Sequence, residues 1–300
     1  MKRSVLKISE RSLAITLPSE WIKKQGVKKG DCVEVLENNN QIHIDSQKVK
    51  EISINLEDSN VQVIVKAIVT SYHFGNDIIK LRFSKTAFDL KTQKEKETIE
   101  AIKETVNQLI GFEVVSETEN SCIIKDVACF NGEEFKTLLR RSFLLINEFA
   151  NDSYYCAKGE KSEDLKGKNV CIRKFVNYMK RYLNKTGKGP KTIAYNDLLN
   201  SLMMISTCFR VISRDKRKYS VKVLGIFYDI VELLNESYKN FYNFDFSKSS
   251  ELLKKRKDIF LRFDFATKDD EVLGQRLAVV LNGIFNIVDS TMEIGFGGVE

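Results

Sequence analysis

The chain has 300 residues, 43% hydrophobic and 30% charged, the balance of a globular protein able to build two or three cores. Its net charge is a modest +7, and no apolar run approaches the ~20 residues that span a bilayer. Met1-Lys2-Arg3-Ser4 leads into alternating residues and not into an apolar signal core, so the expectation is a cytoplasmic protein that is not membrane-embedded.

The charge is unevenly spread. Residues 1–50 hold ten Lys/Arg against six Asp/Glu, residues 51–132 nine against thirteen, and residues 133–300 twenty-nine against twenty-two. An acidic middle between basic ends points to modules with different partners. The six cysteines form no Cys-x-x-Cys pair, so free thiols are expected and not a zinc ribbon or a redox motif. With only Pro18 and Pro190 in the chain, long unbroken helices are possible.

The chain opens on strand-like alternation around Leu6 and Ile8, then again from Leu13 to Leu17. Pro18-Ser19 ends that strand, Ser19 is a suitable N-cap for a short helix through Lys24, and Gly26 closes it. Lys29-Gly30-Asp31 turns into a second hairpin, Cys32–Glu37 and Gln41–Asp45, joined by Asn38-Asn39-Asn40. Residues 1–48 therefore read β-β-α-β-β. So small a module buries little alone, and dimerisation is expected.

Residues 51–130 read as a small α/β domain. Strands are predicted at Ile52–Leu56, Asp77–Phe83, Phe112–Glu117 and Cys122–Val127, with helices at Asn60–Tyr72 and Glu95–Ile110. Lys91–Glu97 is expected to be a solvated loop and helix start. From residue 133 to 300 the pattern is helical. Leu198, Leu202, Ile205, Phe209 and Ile212 recur at 4-3-4-3 spacing, as do Leu273, Leu277, Val280, Ile284, Ile287, Thr291 and Ile294. That is the seam of a bundle, here of five or six helices.

The run Ser12-Leu13-Ala14-Ile15-Thr16-Leu17-Pro18-Ser19-Glu20-Trp21, followed by Gly26-Val27-Lys28-Lys29-Gly30-Asp31, resembles the AbrB/SpoVT/MazE family of swapped-hairpin DNA-binding domains. The resemblance implies a homodimer whose interleaved hairpins make one β-barrel with a basic face towards DNA. The order of modules resembles archaeal phosphate-uptake regulators of the PhoU type, which implies two three-helix halves. The fold class expected is thus α+β: an AbrB-like barrel, a small α/β segment and a PhoU-like bundle. Many PhoU-like bundles hold metal clusters on acidic motifs, but Asn169–Phe175 and Leu202–Phe209 carry no carboxylate, and only Asp289 and Glu293 remain as an i,i+4 pair. No metal and no cofactor is expected.

DNA binding needs cations aimed at phosphates. The candidates are Arg3, Lys7, Arg11, Lys23, Lys24 and Lys28, with Lys29 beside them; Arg11 and Lys23 best match the placement that the family resemblance implies. Each alone is equally well a solubilising surface residue. Trp21 is expected in the core. A second basic run, residues 158–191, interleaves Tyr178 and Tyr182 with Lys180 and Arg181; a solvated helix face is the commoner reading than a nucleic-acid or lipid contact. The two histidines, His43 and His73, stand in no catalytic motif, and no enzyme is expected. The function expected is a transcriptional regulator, of phosphate uptake by resemblance. Its rivals are an adaptor that docks on a phosphate transporter or a signalling partner, and an antitoxin.

Overall fold

The computed structural model describes every residue except 1, 11, 39–40, 47–48, 129–133, 162–164, 187–188, 264–267 and 297–300. The chain divides into two units, residues 1–50 and 51–300.

In the first unit, β1 (Leu6–Lys7) pairs antiparallel with β2 (Leu13–Ala14). This ladder is shorter than the alternation predicts, because Ile8 N and Ser9 N both turn to Ser12 O and close the loop. Helix α1 (Ser19–Gln25) begins one residue earlier than expected. Pro18, not Ser19, holds the N-cap position with φ −62°, and its carbonyl accepts from Ile22 N at 2.9 Å. Gly26 ends the helix at φ 67°, a left-handed conformation in which Val27 N reaches Ile22 O. Strands β3 (Glu34–Asn38) and β4 (Gln41–Asp45) pair antiparallel. Residues 39–40 of the expected turn lie outside the described residues.

The second unit starts with a four-stranded sheet in the order β5-β6-β10-β9. Strand β5 (Glu51–Leu56) runs parallel to β6 (Ile78–Phe83), and the connection is α2 (Val61–His73), capped by Asn60 Oδ1 accepting from Val63 N. Strands β9 (Phe112–Glu117) and β10 (Ser121–Asp126) complete the sheet antiparallel. Between β6 and the following helix lies a hairpin, β7 (Thr86–Asp89) against β8 (Lys94–Glu97), where the sequence predicts a solvated loop and helix start over residues 91–97. Asp89 organises its turn by accepting from Lys91 N, Thr92 Oγ1 and Gln62 Nε2. Helix α3 is therefore shorter than expected, Thr98–Val106. Ile64, Ile68, Ile79, Phe83, Ile102 and Ile124 form the core between sheet and helices.

Among the described residues six α-helices follow: α4 (Phe135–Lys158), α5 (Lys166–Thr186), α6 (Thr192–Ile212), α7 (Val221–Tyr242), α8 (Phe246–Phe260) and α9 (Lys268–Phe296). Helices α4–α6 pack on one another, as do α7–α9, and the two sets join through α6 on α9 and α4 on α7. Both 4-3-4-3 stripes are buried along this seam except Ile294, which is half-buried at its end. Gly283 permits the close approach, since a Cβ there lies 2.7 Å from Ile205 Cγ1. By length and composition, Asp270–Phe296 is apolar enough to cross a membrane, although polar residues interrupt its apolar stretches. Here Leu273, Leu277, Leu281 and Ile284 of this helix are buried in the bundle core. The chain is thus mixed α+β, a small strand region followed by a mostly helical part.

Candidate nucleic-acid interface

The first unit holds the predicted cations on three short elements. Arg3 precedes β1, Lys7 lies on it, Lys23 and Lys24 occupy the last turn of α1, and Lys28 follows the Gly26 cap; all five are exposed. The last turn is where cations complement a helix dipole, so Lys23 and Lys24 are compatible with the helix before any ligand arrives. Arg11, in the β1–β2 loop, lies outside the described residues. The turn after α1 is fixed by Asp31 Oδ2, which accepts from Lys28 N at 2.8 Å, with Gly30 at φ 97°. Gln25 Oε1 accepts from Ser46 Oγ at 3.0 Å and ties the end of α1 to the segment after β4.

Among the described residues of this unit, no side chain is buried. Helix α1 has no buried residue, and Trp21, expected in the core, is only half-buried. Val5, Leu6, Ile8, Leu13, Ile15, Val35 and Ile42 are each more than half exposed. Apolar side chains on alternate strand positions are covered in water only by another surface.

The second basic run has a different fate. Tyr178 is buried, and Tyr182 packs its ring 5.1 Å from Phe135. Arg181 is fully buried between α2 and α5. Its Nη1 donates to the carbonyls of Tyr72 (2.9 Å) and Asn76 (2.8 Å), and its Nη2 to Asp77 Oδ1 and Asp126 Oδ2, both at 2.8 Å. The guanidinium is sandwiched 5.0 Å from the Tyr72 ring and 4.9 Å from that of Phe112. Lys185 also reaches Asp77, at 2.6 Å, and Lys168 pairs with Glu148 and Asp152. Much of the run therefore fastens the bundle internally and to the α/β layer. No periodicity signals the anchoring of Arg181 and Lys185, because their acceptors lie more than fifty residues away.

His73 sits at the same α2–α5 contact, with Nε2 3.1 Å from Asn177 Oδ1. Burial lowers its pKa to about 4, the Asn177 hydrogen bond opposing the shift. Asp289 and Glu293 are exposed and line a polar cleft of about 350 Å³ between α6 and α9, together with Asp197, Asn200 and Asn286. Among the described residues, no three His, Cys, Asp or Glu side chains are grouped to hold a metal ion.

Residues 6–52 match a protein family, the MazE antitoxin family, described as antidote-toxin recognition MazE, bacterial antitoxin. The N-terminal segment is a MazE/AbrB-type domain. It coincides with the unit that carries the exposed cations and, among its described residues, no buried side chain. No curated protein and no solved structure matches the chain. The domain fits a DNA-binding or antitoxin-type regulator.

Proposed function

We propose that the protein is a dimeric, cytoplasmic, DNA-binding transcriptional regulator. The observation that carries the reading is the MazE-type match over residues 6–52 on a unit whose cations are exposed and whose apolar strand positions are uncovered. Two copies interleave their hairpins into one barrel and bury those positions. The barrel then presents Arg3, Lys7, Arg11, Lys23, Lys24 and Lys28 to the phosphate backbone, where counterion release supplies most of the non-specific affinity.

The helical part receives the signal. Its two packed three-helix sets support the likeness to PhoU-type bundles, and phosphate supply is the signal that this likeness nominates. Fluorescence anisotropy with fragments of the neighbouring genomic DNA, repeated at rising salt, tests DNA binding. Binding is expected at low salt with log affinity falling linearly in log salt, and the slope shallower by about one for each phosphate-contacting cation removed. Absence of binding even at low salt refutes the reading.

The adaptor alternative keeps the barrel for dimerisation alone. It is favoured if reversing Arg3, Lys7, Arg11 and Lys23 to glutamate leaves DNA affinity unchanged while capture of a transporter complex is lost. The antitoxin alternative takes its support from the family description itself. It is favoured if the chain neutralises a toxin encoded next to it.

A further inference from the structure

Several cations of residues 51–300 are compensated: Arg181 by Asp77 and Asp126, Lys255 by Glu236, Arg262 by Asp229 and Arg276 by Asp215. Arg173 on α5 and Arg210 on α6 stand apart. Both are half-buried, the Nε of each is buried without an acceptor, and neither side chain forms a hydrogen bond or ion pair among the described residues.

The helix geometry brings the two together. Lys180 Nζ donates to Asn200 Oδ1, and Asn169 Nδ2 donates to Ser206 Oγ at 3.0 Å. Rising numbers on α5 thus meet falling numbers on α6, and the helices run antiparallel. Arg173 lies one turn beyond Asn169, and Arg210 one turn beyond Ser206. Helical side chains lean towards the N-terminus of their own helix. The two arginines therefore lean back over the Asn169–Ser206 contact from opposite ends. Burial, and after it the charge of Arg210, holds Arg173 below the usual arginine range. On α4, Glu148 and Asp152 are taken by Lys168, and Asp152 by Lys161 as well.

We propose that the α5–α6 seam at Arg173 and Arg210 binds a dianionic oxyanion, either inorganic phosphate or a phosphate monoester. Two planar guanidinium forks match the geometry of phosphate oxygens. Their two charges balance a dianion, whereas a monoanion leaves one charge uncompensated in a partly desolvated seam. The proposal concerns the helical part and does not depend on DNA binding, so the two stand or fall separately.

The test follows thermal unfolding of the full chain by far-ultraviolet circular dichroism. Inorganic phosphate and adenosine monophosphate are titrated in parallel, with sodium chloride at matched ionic strength. The expected result is a saturable rise in Tm with at least one anion, roughly 5 °C at a hundredfold excess over Kd. The anion that acts at the lower concentration identifies the source. Arg173→Gln and Arg210→Gln are expected to lose the rise, while their Tm without anion equals or exceeds the parent's because a like-charge contact is gone. Arg173→Lys keeps the charge without the fork, and at least tenfold more anion is then needed for the same rise. A rise reproduced by chloride, a rise of full size in both glutamine variants, or no rise with either anion overturns the proposal.

Discussion

Arg181 shows how one side chain joins two cores. The α/β layer and the bundle keep separate apolar clusters, and Arg181 crosses between them with four of its five N–H donors used. Arg181→Met leaves the Asp126 carboxylate and two carbonyls without their donor in a buried place. A loss of about 3–5 kcal/mol is expected in urea unfolding, as for other broken buried ion pairs. Adding Asp126→Asn to that variant recovers part of the loss, which a purely steric effect does not produce. His73, at the same contact, gives a pH dependence. Its folded pKa, about 4, lies below the ordinary value of 6.5, so the unfolded chain takes up the proton first. The full stability is present above pH 6.5 and declines as pH falls from there towards 4. His73→Gln flattens that part of the stability-versus-pH curve.

At the scale of elements, the α6–α9 contact is the most tightly specified. A Cβ on Gly283 would meet Ile205 Cγ1 at 2.7 Å and Cδ1 at 2.9 Å, and Ile205 is fully buried. Gly283→Ala is expected to cost about 1–3 kcal/mol by overpacking, read as a lower urea midpoint at unchanged slope. The seam was legible in the sequence, since the 4-3-4-3 spacing named the residues of both helices. So was the β-β-α-β-β order, through Pro18, Gly26 and Gly30. The β7–β8 hairpin was not, because Lys94-Glu95-Lys96-Glu97 is charged throughout and its partner strand shows only four residues of alternation. The Arg181 site was not either. A lysine-rich helix and two aspartates in another domain look solvated until the fold places them together. For the candidate interface, the sequence supplied the cations and the elements that carry them; in the proposed dimer their common face would form only with a second copy, which no single-chain pattern encodes.

At the scale of the whole molecule, the two units differ in what completes them. Residues 51–300 contain two closed cores, whereas in residues 1–50 Leu6, Leu13, Val35 and Ile42 are exposed on their strands. If a second copy covers those positions, the stability of the first unit depends on protomer concentration and that of the second does not. The chain carries its own reporters for this distinction. Trp21 is the only tryptophan and lies in the first unit, while most of the helical backbone lies in the second. Raising the protein from about 1 to 100 µM is expected to stabilise the transition seen by tryptophan fluorescence by roughly RT ln 100, about 2.7 kcal/mol, the same mass-action factor that applies to a bound ligand. The transition seen by far-ultraviolet circular dichroism should hold its midpoint. A tryptophan transition that ignores concentration means that the first unit closes within one chain, and the interleaved barrel is then wrong.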